Sequence, residues 1–181
     1  MKNKLAWVLA GIFAAVAIAL ISVWLPGPLK KLGLFSCLLG SATGYALWKL
    51  REVFEFSKRG SEKGIAFLLG GFAEGVRISE SYRIHLAEQQ RRLALEMEKL
   101  PGMFPTLKTE LTERVKQGFS DYLSLRYSAI SKNLEQNVGT WLLFVMFAIE
   151  LLLASGAAFF VYRYLSRQTK LGSNESGEGK V

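Results

Sequence analysis

Three long runs of apolar residues alternate with polar stretches along the chain. The first run, residues 5–25, contains no charged side chain, and the other two cover residues 32–48 and 140–164. A helix needs about 20 mostly apolar residues to cross the hydrocarbon core of a bilayer. Proline and glycine end helices, so the PGP motif at 26–28 predicts a turn between the first two runs. We therefore expect three transmembrane helices, of which the first two form a hairpin within residues 1–50.

The positions of the tryptophans support this division. All four lie at ends of the apolar runs, at positions 7, 24, 48 and 141. Amphipathic rings prefer the headgroup level of a membrane, so this placement is typical of spanning helices. A cleaved signal peptide is the alternative for the first run, because the basic start MKNK precedes it. That run exceeds the roughly 7–15 apolar residues of a signal-peptide core, and no small-residue cleavage site follows it, so we favour a span.

Residues 51–76 form a juxtamembrane segment with a short apolar part. That part, residues 64–76, is too short to span a membrane and contains four glycines. One interpretation is a re-entrant or interfacial segment, and the other is a partly buried helix packed on the bundle. We favour the packed helix.

Residues 77–138 carry many charges, and their apolar residues recur at helical spacing. Prolines bracket a break at residues 101–105, which predicts a long extramembrane hairpin of two antiparallel helices. Met103 and Phe104 lie at its tip, where they could contact a partner or a membrane surface; covering the end of the hairpin is the simpler interpretation. Residues 165–181 are polar and glycine-rich, which predicts a disordered tail.

Composition agrees with an all-α integral membrane protein. Half of the residues are apolar, yet the net charge is +8. A basic excess on such a protein is typical of contact with anionic lipid headgroups and of topology control. Nucleic-acid binding is not supported, because basic residues alternate with acidic ones and no recognition motif is present. The predicted partners are therefore the lipid bilayer and other membrane subunits or further copies of this chain.

Basic residues near the spans predict an orientation in a bacterial inner membrane or a plasma membrane. With the N-terminus inside, eight of them lie on the cytoplasmic side and five on the other. This arrangement places the helical hairpin in the cytoplasm and the tail outside. A fourth span through residues 64–76 would reverse the later part.

Glu150 is the acidic residue in the third apolar run, and its position needs an explanation. A carboxylate that faces lipid costs at least a few kcal/mol, so the side chain is expected to face other helices. At 100° per residue, Ala154 and Ala157 share its helix face, and small residues let helix backbones approach closely. No basic residue lies within residues 5–25, 32–48 or 141–162, the apolar parts of the predicted spans, so we expect no intramembrane ion pair within one chain.

The second run offers a matching face of small and polar residues. Ser36, Gly40 and Gly44 recur at every fourth position, and Thr43 adds a hydroxyl that could hydrogen-bond Glu150. We interpret Glu150 as a contact that holds the third span against the second span or against a partner chain. A proton or cation site is the second interpretation, and a polar residue tolerated without a role is the third.

The sequence contains no motif that is typical of an enzyme. His85 is the single histidine, which excludes a two-histidine zinc motif, and there is no G-x-S-x-G elbow and no phosphate loop. Cys37 is the single cysteine, so no intramolecular disulfide forms. We therefore expect no catalytic residues, no metal and no cofactor.

The sequence predicts a non-enzymatic subunit or accessory factor of a membrane-embedded assembly, such as those of secretion or conjugation. It would bind partners through its transmembrane helices and its helical hairpin. The first alternative is a pore-forming, holin-like oligomer. The second is a transporter or channel subunit that uses Glu150.

Overall fold

A computed structural model describes residues 2–25, 34–54, 61–99, 118–128 and 140–175. The regular structure of these residues is helical throughout, without strands, which confirms the predicted all-α class. The helices are α1 (Lys2–Val23), α2 (Leu34–Phe54), α3 (Glu62–Lys99), α4 (Phe119–Arg126) and α5 (Thr140–Glu175).

The chain divides into two compact units. Unit 1 comprises Met1–Arg77 and Ala148–Val181, and unit 2 comprises Ile78–Phe147. Helices α3 and α5 each contribute residues to both units.

Unit 1 contains four helical segments whose directions alternate. Lys4, near the start of α1, donates a hydrogen bond to Ser61 just before α3, so α1 and α3 run in the same direction. Trp7 of α1 donates its indole N–H to the Leu47 carbonyl near the end of α2, and its ring lies 6.3 Å from that of Tyr162 of α5. Helices α2 and α5 therefore run in the opposite direction to α1.

This arrangement defines two ends of unit 1. At the first, which we call the basic end, lie the start of α1, the end of α2, the start of α3 and residues of α5 after Tyr162. At the second, the opposite end, Ala19 of α1, Phe35 of α2 and Ala73 of α3 pack together. The start of α1 and the end of α5 thus share one end, whereas the sequence pattern placed the N-terminus and the tail on opposite sides.

Helix α3 continues through Val76 and Arg77, although the sequence pattern predicted a boundary there between the juxtamembrane segment and the helical hairpin. Glycine costs about 1 kcal/mol relative to alanine in a helix interior, so four glycines argue against a helix here. Packing outweighs that preference, because Gly70 and Gly71 lie directly against α5. Ala66, Leu69 and Ala73 of the same segment are buried, as expected of a helix packed in the bundle.

Two helices are long and apolar enough to cross a membrane: α1 over Lys4–Val23 and α5 over Trp141–Gln168. Core helices of soluble proteins can share these properties, so length and composition alone do not place the chain in a bilayer. The second predicted span lies in α2, and its serine, threonine and glycine residues make this helix less apolar.

Unit 2 has a small aromatic core of its own. Ile78 of α3, Leu123 of α4 and Leu143 of α5 are buried together with Tyr122 and Tyr127. The ring of Tyr82 packs edge-to-face against Phe119 at 5.4 Å between centroids. Helix α4 starts after Gly118, whose N–H donates to the Asp121 carboxylate.

Several predicted features fall outside the described residues. Met103 and Phe104 do, and so does most of the second helix of the predicted hairpin. The tail is different, because α5 continues as a helix to Glu175. The prediction of disorder from residue 165 is therefore wrong for residues 165–175.

Candidate functional site

A cluster of buried charged residues lies at the opposite end of unit 1. Glu74, Arg77 and Glu150 are 0%, 1% and 3% exposed. Arg77 Nε donates to Glu74 Oε2 at 2.9 Å, and Arg77 Nη2 donates to Glu74 Oε1. Arg77 Nη2 also lies 3.7 Å from Glu150 Oε2. One guanidinium thus serves two carboxylates, one from its own helix and one from α5.

The helices position this cluster by simple spacing. Glu74 and Arg77 are three residues apart on α3, which places their side chains on the same helix face. Ser36 of α2 donates its hydroxyl to Glu74 Oε1 at 3.0 Å. The Arg77 guanidinium carbon lies 5.1 Å from the centroid of the Phe35 ring, within range of a cation–π interaction. The cluster therefore connects α2, α3 and α5.

The expectation that Glu150 has no cation partner within its own chain is wrong. Arg77 is the partner, and the sequence interpretation missed it because the residue falls at the boundary drawn between two segments. The sequence does hold a signal: an acidic and a basic residue three positions apart, directly after the apolar stretch of residues 64–73. An ion pair of this spacing lets a helix bury both charges.

The cluster is only partly satisfied by protein atoms. Arg77 Nη1 is buried and has no hydrogen-bond partner among the described residues. Removal of one partner of a buried ion pair typically costs about 3–5 kcal/mol, because the remaining charge stays in a medium that solvates it poorly. Within unit 1 the cluster therefore stabilises the positions of α2, α3 and α5 relative to one another.

Close backbone contacts of α5 adjoin the charged cluster. A Cβ atom built on Gly40 of α2 would overlap the Ala154 carbonyl, and one on Gly44 would lie 2.5 Å from the Ala158 carbonyl oxygen. A Cβ on Gly70 of α3 would lie 2.7 Å from the Ala154 oxygen. Only glycine fits at these three positions without a shift of the neighbouring backbone.

The structure brings some of the predicted contact residues together and separates others. Gly40 lies against Ala154, as the small-residue spacing indicated, and Gly44 lies against Ala158. The sequence pattern predicted Ala157 at this contact, but Ala157 is half-buried and Ala158 lies there instead. The reason is that α5 packs against both α2 and α3. Thr43 is buried but donates its hydroxyl to the Leu39 carbonyl of its own helix.

A second polar network lies at the basic end of unit 1. The Tyr162 hydroxyl of α5 donates to Glu62 Oε2 at 2.7 Å, and Arg51 Nε lies 3.5 Å from the same oxygen. Arg51 also donates to the Ser166 hydroxyl at 3.2 Å. Helices α2, α3 and α5 are thus linked by polar contacts at both ends.

The described residues contain no group of three or more histidine, cysteine, aspartate or glutamate side chains that could hold a metal ion. His85 lies in unit 2, where it hydrogen-bonds Gln89 at 3.0 Å. Comparison with protein-family models, curated proteins and solved structures finds no match.

Proposed function

We propose that this chain is a non-enzymatic integral membrane protein that acts as a subunit or accessory factor of a membrane-embedded assembly. One observation carries the proposal: unit 1 exposes large apolar side chains on all four helical segments and buries the ion pairs of Glu74, Arg77 and Glu150. That distribution is the reverse of the one a protein needs in water.

The apolar exterior extends over all four helical segments of unit 1. Phe13 of α1, Leu38 of α2, Leu68 of α3 and Leu152 of α5 are between 61% and 76% exposed. Contiguous apolar surface of this extent is rare on soluble monomers and marks contact with lipid or with other proteins.

The buried charged cluster has the form expected in a low-dielectric medium. Arg77 contacts both Glu74 and Glu150, and all three residues are buried. Ionisable residues of membrane proteins usually face the bundle interior, where they pair with one another. This pairing supports an embedded bundle in which α1 and α5 cross the membrane and α2 and α3 pack beside them.

The packing of the bundle favours a structural role over a pore. The backbones of α2 and α3 are in close contact with α5 at Gly40, Gly44 and Gly70, so no path for water separates these helices there. Glu150 faces Arg77 of the same chain, which supports a contact that fixes helices. A transporter or channel subunit that uses Glu150 is the second candidate, because the cluster places two carboxylates beside one guanidinium.

The charged part of α3 in unit 2 provides a polar surface for partners. The side chains of Arg83 and Arg92 of α3 are 76% and 74% exposed, and among the described residues each forms an ion pair with an acidic residue one turn away. Such surface pairs contribute little to stability, about 0–1 kcal/mol each, so their exchange for contacts with another subunit has a small cost.

Extraction and purification test the proposal. The full chain should stay in the membrane pellet after alkaline carbonate and should elute from mild detergent as a complex of defined mass that is larger than one chain. Release by carbonate would overturn membrane embedding. Elution as an oligomer of this chain alone, with loss of membrane potential on overexpression, would overturn the assembly role in favour of a pore.

A further inference from the structure

The unburied charged residues of unit 1 all lie at one end, as far as the structure describes it. Six basic side chains lie there, which we call the basic rim: Lys4, Lys49, Arg51, Lys63, Arg163 and Arg167. Two acidic side chains, Glu52 and Glu62, accompany them, so the rim keeps a positive excess. At the opposite end, the charged side chains that the structure describes are the buried members of the cluster around Arg77.

Contacts between helices place the rim residues at one level. Lys4 Nζ donates to the Ser61 hydroxyl at 2.7 Å, which aligns the start of α1 with the start of α3. Arg51 contacts both Glu62 and Ser166, which aligns the end of α2 with α3 and with α5. The rim therefore receives basic residues from all four helical segments.

Part of the rim is available to a ligand. Lys63 and Arg167 are exposed and have no ion-pair partner among the described residues. The Lys49 side chain is 52% exposed and pairs with Glu52 at 2.9 Å. That hydrogen bond raises the pKa of Lys49, which keeps its ammonium group charged.

Aromatic and apolar residues border the rim on the side of the bundle. Lys49 Nζ lies 4.5 Å from the centre of the Trp48 ring. Tyr45 and Tyr164 are 50% and 60% exposed close to the same level. A ring of cations next to amphipathic aromatics, with lipid-facing side chains beyond, is the pattern expected at the headgroup layer of a membrane.

We propose that the basic rim binds the phosphate groups of anionic lipids and holds the basic end of unit 1 at the cytoplasmic leaflet. This inference rests on the proposed membrane embedding. The cytoplasmic leaflet is the one rich in anionic lipid, and each basic residue near such a surface contributes about 1 kcal/mol. The excess of lysine and arginine at this end also favours its cytoplasmic location.

Binding at the cytoplasmic leaflet fixes the orientation of unit 1. Lys4 and Arg167 lie on the cytoplasmic side, and Leu25 and Arg77 lie on the other.

Lipid titration of the full chain in detergent tests the binding site. Phosphatidylglycerol should raise the thermal unfolding temperature at a concentration at least tenfold lower than phosphatidylcholine does. The variant Lys49→Gln/Lys63→Gln/Arg167→Gln should weaken phosphatidylglycerol binding about a hundredfold, since each basic residue near an anionic surface contributes about a fivefold change in binding. If this variant does not fold, Lys63→Gln/Arg167→Gln replaces it.

The matched control removes the same charge from unit 2, in Arg83→Gln/Arg91→Gln/Arg92→Gln, and should leave binding unchanged. Equal weakening in both variants would overturn the proposal. So would an equal response to the two lipids, or the same temperature shift with inorganic phosphate alone.

Cysteine labelling in intact cells tests the orientation. In a Cys37→Ser background, Lys63→Cys should react with an impermeant maleimide only after permeabilisation, whereas Leu25→Cys should react in intact cells. Labelling of Lys63→Cys from outside would overturn the inference. A chain that resists carbonate but binds both lipids equally refutes the basic rim alone, whereas a chain that carbonate releases refutes the proposed function.

Discussion

Arg77 is the residue whose loss should destabilise unit 1 most, because it is the counter-ion of two buried carboxylates. It contacts Glu74 on its own helix and Glu150 on α5, and it is 1% exposed. Methionine at this position keeps most of the side-chain volume but leaves both carboxylates without the cation.

Arg77→Met should therefore lower the free energy of unfolding by about 3–5 kcal/mol, measured by denaturation in detergent. Arg83→Met is the matched control, because Arg83 pairs with Glu80 three residues earlier on the same helix but is 76% exposed. Its loss should cost about 0–1 kcal/mol. Equal losses for the two variants would show that the buried pairing does not stabilise the bundle.

The two carboxylates should respond differently to conversion into amides. Glu74 accepts bonds from Arg77 and from Ser36, whereas the Glu150 oxygen lies 3.7 Å from Arg77. Glu150→Gln leaves Glu74 and Arg77 as a balanced pair, so its stability should change by less than about 1 kcal/mol. Glu74→Gln removes the charged acceptor of Arg77 and should cost about 2–3 kcal/mol.

Denaturation of both variants, together with an assay of complex formation, checks this order. A larger loss in Glu150→Gln than in Glu74→Gln would contradict it. Loss of function in Glu150→Gln at unchanged stability would favour the transporter alternative, because a contact that only fixes helices tolerates an amide.

At the scale of elements, the contact of α2 with α5 depends on the absence of side chains. Gly40→Ala should destabilise the bundle, although alanine favours a helix by about 1 kcal/mol over glycine, because the new methyl group would overlap the Ala154 carbonyl. Gly156→Ala on α5 is the control, since a methyl group at that position would have no described neighbour within 4 Å.

The two substitutions should change the unfolding temperature in opposite directions, downward for Gly40→Ala and upward for Gly156→Ala. Scanning calorimetry or a dye-based melt in detergent measures both. A rise for Gly40→Ala would show that α2 and α5 do not approach as closely as the structure indicates.

Sequence patterns predicted the elements whose signal is local. The apolar length of α1 and α5 indicated helices able to cross a membrane, and the spacing of Gly40 and Gly44 indicated a close contact. The continuity of α3 could not be predicted in this way. It depends on Gly70 and Gly71 meeting α5, a contact between residues far apart in the chain.

The same limit applies to the candidate site. Helix geometry predicts that Glu150 and Ala154 lie on one face of α5. Whether Ala157 or Ala158 continues that contact depends on where α2 and α3 approach α5. Arg77 could be recognised as a partner only once α3 was known to lie beside α5. Charge and composition predict that a buried carboxylate needs a partner, and tertiary packing decides which residue it is.

For the whole molecule, the four helical segments that the structure describes in unit 1 alternate in direction and give an even number of passes. The start of α1 and the end of α5 therefore share the basic end, as the contacts of Lys4 and of Ser166 show. Reporter domains fused to the N-terminus and to the C-terminus should accordingly show the same compartment in living cells. Activity of the two reporters on opposite sides would require an odd number of crossings and would contradict the bundle.

The charged cluster has a consequence for how the protein is made. Ribosomes synthesise α3, with Glu74 and Arg77, well before Glu150 of α5 emerges. Until then Arg77 lacks its second carboxylate and the glycines of α3 lack the helix they pack against, so α3 has little reason to stay in lipid by itself. A nascent chain stopped before α5 should leave α3 outside the bilayer, and insertion of the bundle should be completed late, when the last helix arrives.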